Sequence, residues 1–438
     1  MTLGQLIPSL RSSLPQIQPD HELWPLTARS GYGGLSIGDV TLMRIEQDFG
    51  TPAYVIDEAD VRERCSAYAA AFGASNVVYA AKALVCRGLL RWINEAGLGL
   101  AVYSAGQWKL AQSVGFPLER IVVHGDVDAR GAGRVVVESA ADIARLVRTR
   151  RPTRQRVMLR VLPAHLGFTS AGIPACDDDD RFGLPVTGTE LTDLVDQIAA
   201  EPLLELIGLD VYLGSQLAQF GGYEHAIAQL LAVAAQLKQT HGVRIEELNL
   251  GGGFAVAQAG SEHTLPVDPF AGRMRRVLSL ESDRLDIDPP RLSVTPGRAI
   301  VARAGVALYR VTAVRHESNG HQLVAIDGGL SDNPRPALYG ARYTGVLVNR
   351  TGSPTTALTT VVGRHDEVGD VLIRDEPLPC DLRPGDLLAV PGCGAYHYPL
   401  ASNYDMIGRP PLIAVREGLA RTLVRRETID DILRREED

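Results

Sequence analysis

The chain has 438 residues, of which 45% are hydrophobic and 22% are charged. This composition is typical of a globular protein with a sizeable core, and at roughly 100–200 residues per domain it predicts two or three domains. The formal net charge of −8 argues against a protein that holds nucleic acid on a strongly basic face.

Targeting segments and disulfide bonds are not expected either. No apolar stretch reaches the roughly 20 residues of a membrane helix, and the N-terminus lacks the basic segment and apolar core of a signal peptide. The five cysteines are scattered and form no Cys-x-x-Cys pair; they are Cys65, Cys86, Cys176, Cys380 and Cys393. A disulfide scaffold and a zinc ribbon are therefore excluded, and the sequence predicts a cytoplasmic protein.

In chain order, residues 1–35 have little periodicity and predict an N-terminal extension on the surface, and 52–56 predicts a strand. Eight short apolar runs rich in β-branched residues follow, at 77–81, 99–102, 121–124, 134–138, 157–161, 206–212, 247–250 and 292–295. Amphipathic segments separate most of them, at 83–96, 104–114, 140–149, 189–200, 223–239 and 269–281. The link after 121–124 is too short for a full helix. Strands that alternate with helices predict a parallel sheet.

The predicted fold class is α/β, because eight such units suggest a closed (β/α)8 barrel, with a doubly wound open sheet as the alternative. From about residue 300 the helical periodicity fades, and Val, Thr, Leu, Gly and Pro dominate. This change predicts a second, β-rich domain. The expected organisation is a barrel over 57–297 and a β-domain made of 36–56 and 298–438.

Lys82 follows the first barrel strand, at the end where the catalytic groups of such barrels gather. The chain has only three lysines, Lys82, Lys109 and Lys238. An amine that is desolvated at a strand end has a lowered pKa and is able to form a Schiff base. Taken alone, Lys82 would more often be a surface lysine at the end of a strand.

A phosphate site is predicted across the barrel mouth from Lys82. Gly251, Gly252 and Gly253 follow the seventh strand, and Gly297 and Arg298 follow the eighth. Glycines let backbone N–H groups approach an anion, and the loops after strands seven and eight are the usual phosphate site of these barrels. A glycine triplet is more often a plain turn, but together with Lys82 it points to pyridoxal phosphate (PLP).

The predicted β-domain carries further candidates. Arg335 and Tyr339 lie in a turn-rich loop over 327–339, and an arginine there is suited to binding a carboxylate bidentately. Asp366 and Glu367 are adjacent in the loop 363–370, where acidic pairs are usually solvated. The run Asp177–Asp180 reads as a solvated turn, because no calcium-loop pattern surrounds it. No metal site is predicted.

Several segments, taken in order, resemble diaminopimelate decarboxylases and more distantly ornithine decarboxylases, PLP enzymes of the alanine-racemase-like fold. The matching segments are Tyr79-Ala80-Ala81-Lys82-Ala83, Gly214-Ser215-Gln216, Gly251-Gly252-Gly253, Pro296-Gly297-Arg298-Ala299-Ile300, the 327–339 loop, Gly394-Ala395-Tyr396 and Arg425-Arg426-Glu427-Thr428. The similarity runs from about 37 to 433, and the 327–339 loop resembles the diaminopimelate branch.

The resemblance implies a role for each matching position. Lys82 would hold PLP covalently. The rest of the cofactor site would comprise Tyr212, Ser215, Gly251, Gly252, Gly253, Thr295, Gly297, Arg298 and Tyr396. The substrate would be bound by Arg298, Arg335, Tyr339 and Glu367. The 363–370 loop and Tyr396 would come from a partner subunit, which makes the expected enzyme a homodimer with composite active sites.

Five positions depart from the family pattern. The family's Glu-Pro-Gly-Arg reads Thr295-Pro296-Gly297-Arg298, and the Cys-Glu-Ser of the partner loop reads Asp366-Glu367-Val368. Ala101 replaces an Asp, Gln107 replaces a Glu, and Tyr212 replaces the His that stacks on the cofactor ring. The family's Glu keeps the ring nitrogen protonated, so Thr295 predicts an unprotonated nitrogen and a weaker electron sink. Asp366 would replace the cysteine as proton donor to Cα.

The sequence therefore predicts a PLP-dependent amino-acid decarboxylase of the diaminopimelate decarboxylase type. Its small-molecule substrate would be modified or non-standard, with a distal anionic or polar group. Two alternatives stay open. One is different Cα chemistry, such as racemisation, elimination or a specialised step of natural-product biosynthesis. The other is a non-catalytic pseudoenzyme. A nucleic-acid or membrane partner is not expected.

Overall fold

The structure is a computed structural model, and it describes residues 19–31, 34–128, 130–148, 154–164, 183–259 and 263–437. The strands are β1 Arg29–Gly31, β2 Gly34–Ile37, β3 Val40–Thr41, β4 Ala53–Asp57, β5 Val78–Ala80, β6 Gly99–Val102, β7 Ile121–Val123, β8 Arg134–Val137, β9 Gln155–Leu162, β10 Leu184–Pro185, β11 Leu204–Val211, β12 Glu247–Asn249, β13 Arg291–Ser293, β14 Gly305–His316, β15 Gln322–Ile326, β16 Val346–Leu347, β17 Thr356–Val362, β18 Val371–Pro379, β19 Leu387–Pro391, β20 Leu412–Arg416 and β21 Leu419–Val424. The α-helices are α1 Leu42–Phe49, α2 Glu58–Phe72, α3 Arg87–Glu95, α4 Ala105–Ser113, α5 Ala140–Arg148, α6 Glu190–Ala200, α7 Gly221–His241, α8 Val267–Arg284, α9 Arg298–Val301, α10 Arg335–Tyr339 and α11 Ile429–Leu433.

The eight predicted apolar runs form a closed parallel barrel. Their strands neighbour one another in the order β13-β12-β11-β9-β8-β7-β6-β5. At the seam, the Val78 N–H donates to the Val294 carbonyl at 2.9 Å, and the Ala80 N–H donates to the Pro296 carbonyl at 3.0 Å. These bonds join the first strand to the chain that follows the last. The predicted barrel is therefore confirmed, and the open-sheet alternative is wrong.

The six amphipathic segments form helices α3 to α8. The described residues between β7 and β8 hold no helix, which agrees with the prediction that this link is too short for one. Local sequence sets several helix ends. The Ser104 hydroxyl accepts from the Gln107 N–H at 3.3 Å at the start of α4, and the Asp57 carboxylate accepts from the Ala59 N–H at 3.0 Å at the start of α2. Gly242 ends α7 at φ 65°, a left-handed conformation that glycine adopts without strain.

The barrel interior changes from apolar to polar along its axis. Side chains of Val78, Ala101, Val122, Val136, Met158 and Ile207 form an apolar cluster inside the strands. Near the C-terminal ends of the strands, the buried side chains are polar instead, among them His124, Asp210, Asn249 and Thr295. Alternate residues of a strand face the same side, so each strand contributes to both layers. The polar layer marks the functional end of the barrel.

The second domain is built on a sheet with the order β18-β17-β15-β14-β4-β20-β21, with β19 paired to β14 and β16. Strand β4, which precedes the barrel in the chain, lies between β14 and β20. This central position explains why all five of its residues are buried. Of the predicted extension 1–35, residues 1–18 lie outside the described residues. Trp24 and Ala28 pack into the core of the second domain, so this part does not merely lie on the surface.

No helix within the described ranges has the length and apolar character needed to span a lipid bilayer. Among the described residues, no three histidine, cysteine, aspartate or glutamate side chains are grouped so that they could hold a metal ion. The acidic run Asp177–Asp180 and Cys176 lie outside those residues.

A buried ion pair ties the barrel together at the opposite end from the polar layer. The Arg134 Nη1 lies 2.6 Å from the Glu247 Oε2, and the two side chains are 8% and 2% exposed. Arg291 also binds Glu247, and the Ser293 hydroxyl donates to Glu247 Oε1 at 2.6 Å. Burial raises the pKa of Glu247, but the two arginines outweigh it and hold that pKa below its ordinary value.

We expect Glu247→Gln to reduce the free energy of unfolding by about 3–5 kcal/mol, because it leaves the Arg134 charge buried without its counter-charge. Urea denaturation followed by circular dichroism measures this difference. The exposed Arg44–Asp48 pair, with side chains 57% and 48% exposed, provides the control. Asp48→Asn should change stability by less than about 1 kcal/mol. Equal effects of the two substitutions would contradict the prediction.

Candidate active site

A pocket opens at the C-terminal end of the barrel strands, at the junction with the second domain. Its lining comes from barrel strand ends, the segments that follow them, and Tyr396 after β19: Ala80, Lys82, Tyr103, His124, Arg160, Asp210, Tyr212, Gly214, Ser215, Gly251, Gly252, Gly253, Phe254, Thr295, Gly297, Arg298, Ala299 and Tyr396.

Lys82 is the lysine of this pocket. Its Nζ lies 4.9 Å from the ring centre of Tyr103 and 5.3 Å from that of Tyr212, so two aromatic faces flank the amine. Solvent reaches the side chain through the open mouth, yet protein surrounds it on the other sides. This desolvation, followed by the charge of Arg160, lowers the pKa of Lys82, which Asp210 partly raises again. The other two lysines lie on the helices α4 and α7, away from the pocket.

The glycine triplet after β12 packs against neighbouring backbone. A Cβ at Gly251 would lie 2.3 Å from the Val211 carbonyl oxygen, and one at Gly253 would lie 2.2 Å from the Gly214 carbonyl oxygen. Both residues have positive φ, +67° and +83°. Only glycine fits such close approaches in this conformation. The Gly252 carbonyl accepts from Tyr223, and the Gly253 carbonyl accepts from Leu217.

Two arginines and a tyrosine form a second group at the mouth. The guanidinium carbon of Arg298 lies 4.8 Å from the ring centre of Tyr396, and that of Arg335 lies 5.8 Å from the same ring. Arg335 is 5% exposed and donates to the Tyr343 hydroxyl at 3.0 Å. Burial and the neighbouring Arg335 lower the pKa of Arg298 to about 10. Neither guanidinium has a carboxylate partner within the described part of the chain.

The structure corrects one expectation about the subunits. Tyr396 was predicted to come from a partner, but it belongs to the same chain as Lys82. Its N–H donates to the Ala83 carbonyl at 2.7 Å, directly beside that lysine. Tyr339 is half exposed, with its ring centre 5.5 Å from the guanidinium carbon of Arg335.

The structure does not bring Asp366 and Glu367 into the pocket of their own chain. Both are exposed, and Glu367 accepts a hydrogen bond from the Tyr404 hydroxyl. The loop is nevertheless held in place, because Asp370 accepts from the N–H groups of Leu330 and His365 at 2.6 and 2.8 Å.

The positions that differ from the family pattern each have a defined place in the structure. Gln107 accepts from the Tyr103 N–H at 2.8 Å, so it supports the start of α4. Ala101 belongs to the apolar layer beneath the pocket. Thr295 and Tyr212 line the pocket itself. The Thr295 hydroxyl lies 2.9 and 3.1 Å from the side-chain nitrogen and oxygen of Asn249.

Sequence reasoning missed Asp210, Arg160, His124 and Asn249. The Arg160 Nε lies 3.2 Å from Asp210 Oδ2, and its Nη1 lies 3.0 Å from Glu138. The ring of His124 stacks on Tyr103 at 4.7 Å, and its nitrogens have no hydrogen-bond partner among the described residues. Polar residues at the ends of buried barrel strands were the available signal, since each follows an apolar run.

These residues fit pyridoxal phosphate. The amine of Lys82 is solvent-accessible and has a lowered pKa, which suits a covalent bond to an aldehyde. The N–H groups of Gly252 and Gly253 have no acceptor among the described residues, so they are available to a phosphate beside Ser215 and Arg298. Aromatic rings on either side of the amine offer faces for a pyridine ring. One pocket thus has all three parts of a PLP site.

Comparisons with known proteins agree with this site. Residues 58–302 match the family model described as pyridoxal-dependent decarboxylase, pyridoxal binding domain. A diaminopimelate decarboxylase of Actinosynnema pretiosum subsp. auranticum is 46% identical over 100% of both chains. One of Mycobacterium tuberculosis is 37% identical, covering 94% of this chain and 97% of the relative. The chain therefore belongs to the pyridoxal-dependent decarboxylase family, together with diaminopimelate decarboxylases.

A solved structure agrees on the fold. The crystal structure of diaminopimelate decarboxylase from M. jannaschii in complex with L-lysine superposes with a TM-score of 0.85, covering 95% of this chain and 99% of the other at 23% identity. The protein is a PLP-dependent carboxy-lyase whose cofactor is pyridoxal 5′-phosphate and whose substrate is an amino acid. The predictions of family, fold class, enzyme class and cofactor are thus confirmed, and the pseudoenzyme alternative has no support from these relatives.

We expect Lys82 in the cofactor-free protein to titrate below the ordinary lysine value of 10.5, because burial and Arg160 disfavour its charged form. A lowered pKa leaves more neutral amine at a given pH, so trace acetylation of Lys82 should reach half its maximum at a lower pH than for a model lysine peptide. Peptide mass spectrometry follows the reaction, with Lys109 and Lys238 as internal references for the reagent. A labelling midpoint at or above that of the peptide would contradict this account of the pocket.

Proposed function

We propose that this decarboxylase acts on an amino acid whose far end carries a carboxylate, either diaminopimelate itself or a modified relative of similar length. One observation carries the proposal: Arg335 is buried and Arg298 is partly buried, both beside Tyr396, without a carboxylate partner among the described residues. Two desolvated cations near each other are costly unless an anion joins them. A distal carboxylate of the substrate is such an anion.

The protein side of the reaction is then divided among the pocket residues. Lys82 holds the cofactor covalently, and Ser215 and Gly297 bind its phosphate together with the glycine triplet Gly251–Gly253. Bound PLP supplies an electron sink for the charge left at Cα when the carboxylate departs. Tyr212 and Tyr103 flank the amine and exclude water from two sides.

At the substrate end, Arg298 and Arg335 provide charge-assisted hydrogen bonds that are strong because the site is buried. Their spacing around Tyr396 sets how far the second carboxylate lies from the reacting carbon. Tyr339 lies next to Arg335 and is positioned to close over the same group. We infer that substrate length and distal charge, rather than the reacting end, determine specificity. Thr295 and Tyr212, which differ from the family pattern and line the same pocket, are the reason that the proposal includes a modified substrate, such as one of a specialised natural-product step.

We also propose that two copies of the chain form a homodimer with composite sites. Asp366 and Glu367 are exposed and outside their own pocket, and Val368 next to them is 97% exposed. The loop is anchored to its own chain through Asp370, so it presents these side chains outward in a fixed position, as the resemblance to a partner-contributed loop requires. In the dimer, Asp366 of one subunit would donate a proton at Cα in the other subunit's site, and Glu367 would contact the substrate.

Attachment of the cofactor is tested by reduction with borohydride and peptide mapping. We expect the pyridoxyl group on Lys82, and Lys82→Ala should abolish both the visible absorbance of the bound cofactor and carbon dioxide release. Lys109→Ala, on the outer helix α4, is the matched control and should behave as wild type. A label on Lys109 or Lys238 would refute the assignment.

Recognition of the distal carboxylate is tested by comparing diaminopimelate with lysine, which lacks that group. We expect Arg335→Met to lower kcat/KM for diaminopimelate by about 10²-fold or more, since a hydrogen bond between charged groups contributes about 1.5–3 kcal/mol and the remaining Arg298 charge is less compensated. Under the proposal lysine is a much poorer substrate than diaminopimelate, and any carbon dioxide release from lysine should hardly change in the variant. Equal losses with both substrates would show that Arg335 does not bind the distal group.

The composite site is tested by mixing two inactive variants, Lys82→Ala and Asp366→Ala. If sites are shared, one hybrid site in each mixed dimer retains both residues, so about a quarter of wild-type activity per chain should return after subunit exchange. The unmixed variants, treated identically, are the control. A protein that is monomeric and fully active at assay concentration would contradict the dimer.

A further inference from the structure

Asp210 is the acidic residue of the cofactor pocket. It lies near the C-terminal end of β11, two residues before Tyr212, so both side chains point to the same side of the strand. Its side chain is 1% exposed. Among the described residues that line the pocket, it is the single carboxylate, beside the basic side chains of Lys82, Arg160 and Arg298.

Hydrogen bonds connect Asp210 to Thr295, two strands away. The Asn249 side-chain nitrogen donates to Asp210 Oδ1 at 2.7 Å and lies 2.9 Å from the Thr295 hydroxyl. The Asn249 oxygen accepts from the Gly251 N–H at 3.0 Å, which fixes the orientation of the amide. Thr295 is therefore uncharged and hydrogen-bonded to Asn249, and the negative charge on this side of the pocket belongs to Asp210.

The second oxygen of Asp210 lacks a well-directed donor. Oδ2 lies 3.2 Å from the Arg160 Nε, but neither atom makes a hydrogen bond of acceptable geometry among the described residues. A buried carboxylate oxygen without a donor is unfavourable. Oδ2 therefore lacks a hydrogen-bond donor among the described residues of the cofactor-free chain, and because Asp210 lines the pocket, a bound molecule is able to supply one.

The charges of the cluster also favour a cationic donor. Arg160 is flanked by Glu138 at 3.0 Å and Asp210 at 3.2 Å. With both carboxylates ionised, two negative charges face the one guanidinium of Arg160, so Arg160 leaves one negative charge uncompensated, and Lys82 is the other cation that acts on Asp210 in the cofactor-free chain. A protonated pyridine nitrogen would neutralise that negative charge and donate a hydrogen bond at the same time. PLP sites do pair the ring nitrogen with an aspartate or with an arginine.

We propose that Asp210, held by Asn249, bonds the ring nitrogen of PLP and keeps that nitrogen protonated. The inference rests on the proposed attachment of the cofactor at Lys82. This proposal replaces the expectation that Thr295 leaves the ring nitrogen unprotonated. The family's carboxylate follows β13, at the position of Thr295, whereas in this chain the carboxylate is Asp210 on β11. Arg160 acts as a positioning residue that keeps Asp210 in the pocket.

The electrostatics of the cofactor-free chain agree with this role. Burial raises the pKa of Asp210 to about 6, and Arg160 counteracts part of that rise. A carboxyl group with a raised pKa gains from a nearby cation, because the cation stabilises its ionised form. The protonated ring nitrogen and the ionised Asp210 therefore stabilise each other.

The test uses the holoenzyme reconstituted with PLP that carries ¹⁵N in the ring. We expect the wild-type ¹⁵N resonance at the position of a protonated pyridine nitrogen. In wild type with ¹³C-labelled aspartate carboxyls, solid-state recoupling should detect an aspartate carbon at hydrogen-bonding range of the ring nitrogen. This second measurement needs no substitution, so it decides the proposal even where a variant is unstable.

Asp210→Asn should lose the protonated resonance and show that of an unprotonated nitrogen. Glu138→Gln is the matched control, because it removes the other carboxylate of Arg160 but does not line the pocket, and its ring nitrogen should stay protonated. In Asp210→Asn/Thr295→Glu, a carboxylate returns on the adjacent wall, and the protonated resonance should recover.

Three results would overturn the proposal: an unprotonated nitrogen in wild type, no aspartate carbon near the ring, or a protonated nitrogen that persists in Asp210→Asn. Failure of the proposed function gives a different result, since borohydride would then not fix PLP to Lys82. PLP that is fixed at Lys82 but has an unprotonated nitrogen overturns only the role of Asp210.

Discussion

The parallel direction of the eight barrel strands is the constraint on which the site depends. Because the strands all run the same way, their C-terminal ends meet at one mouth, and Lys82, Arg160, Asp210 and Thr295 meet there although they are far apart in sequence. The apolar layer beneath them, which includes Ala101, excludes water from that side. Every charge at the mouth is therefore partly desolvated, and its pairing determines what the pocket binds.

Charge pairing divides the pocket into two parts. In the barrel wall, Arg160 lies between Glu138 and Asp210, and Asn249 extends the hydrogen bonds to Thr295. At the junction with the second domain, Arg298 and Arg335 lack carboxylates among the described residues. The barrel wall thus carries the carboxylates of the site beside Arg160 and Lys82, whereas the junction carries positive charge without a carboxylate among the described residues. This polarity suits a cofactor with a basic ring nitrogen on one side and an anionic substrate end on the other.

The second domain contributes more than a cover. Strand β4 is taken from before the barrel and lies between β14 and β20, so the two domains are joined by two chain crossings. Tyr396, in the left-handed region at φ 62°, hydrogen-bonds beside Lys82, and its ring lies near both arginines. Because non-glycine residues rarely adopt this conformation, it indicates that the surrounding contacts hold the tyrosine in place.

The sequence by itself determined the barrel, the β-rich second domain, Lys82 and the glycine triplet, because these depend on local patterns: β-branched runs, helix periodicity and glycine at positive φ. It did not determine that Tyr396 serves its own chain or that Asp210 and Thr295 share Asn249, since such contacts join residues up to hundreds of positions apart. Thr295 read alone predicted a loss of charge, whereas the fold places a carboxylate two strands away. A carboxylate at this site is able to come from any of several neighbouring strands, and only the tertiary structure shows that it comes from β11.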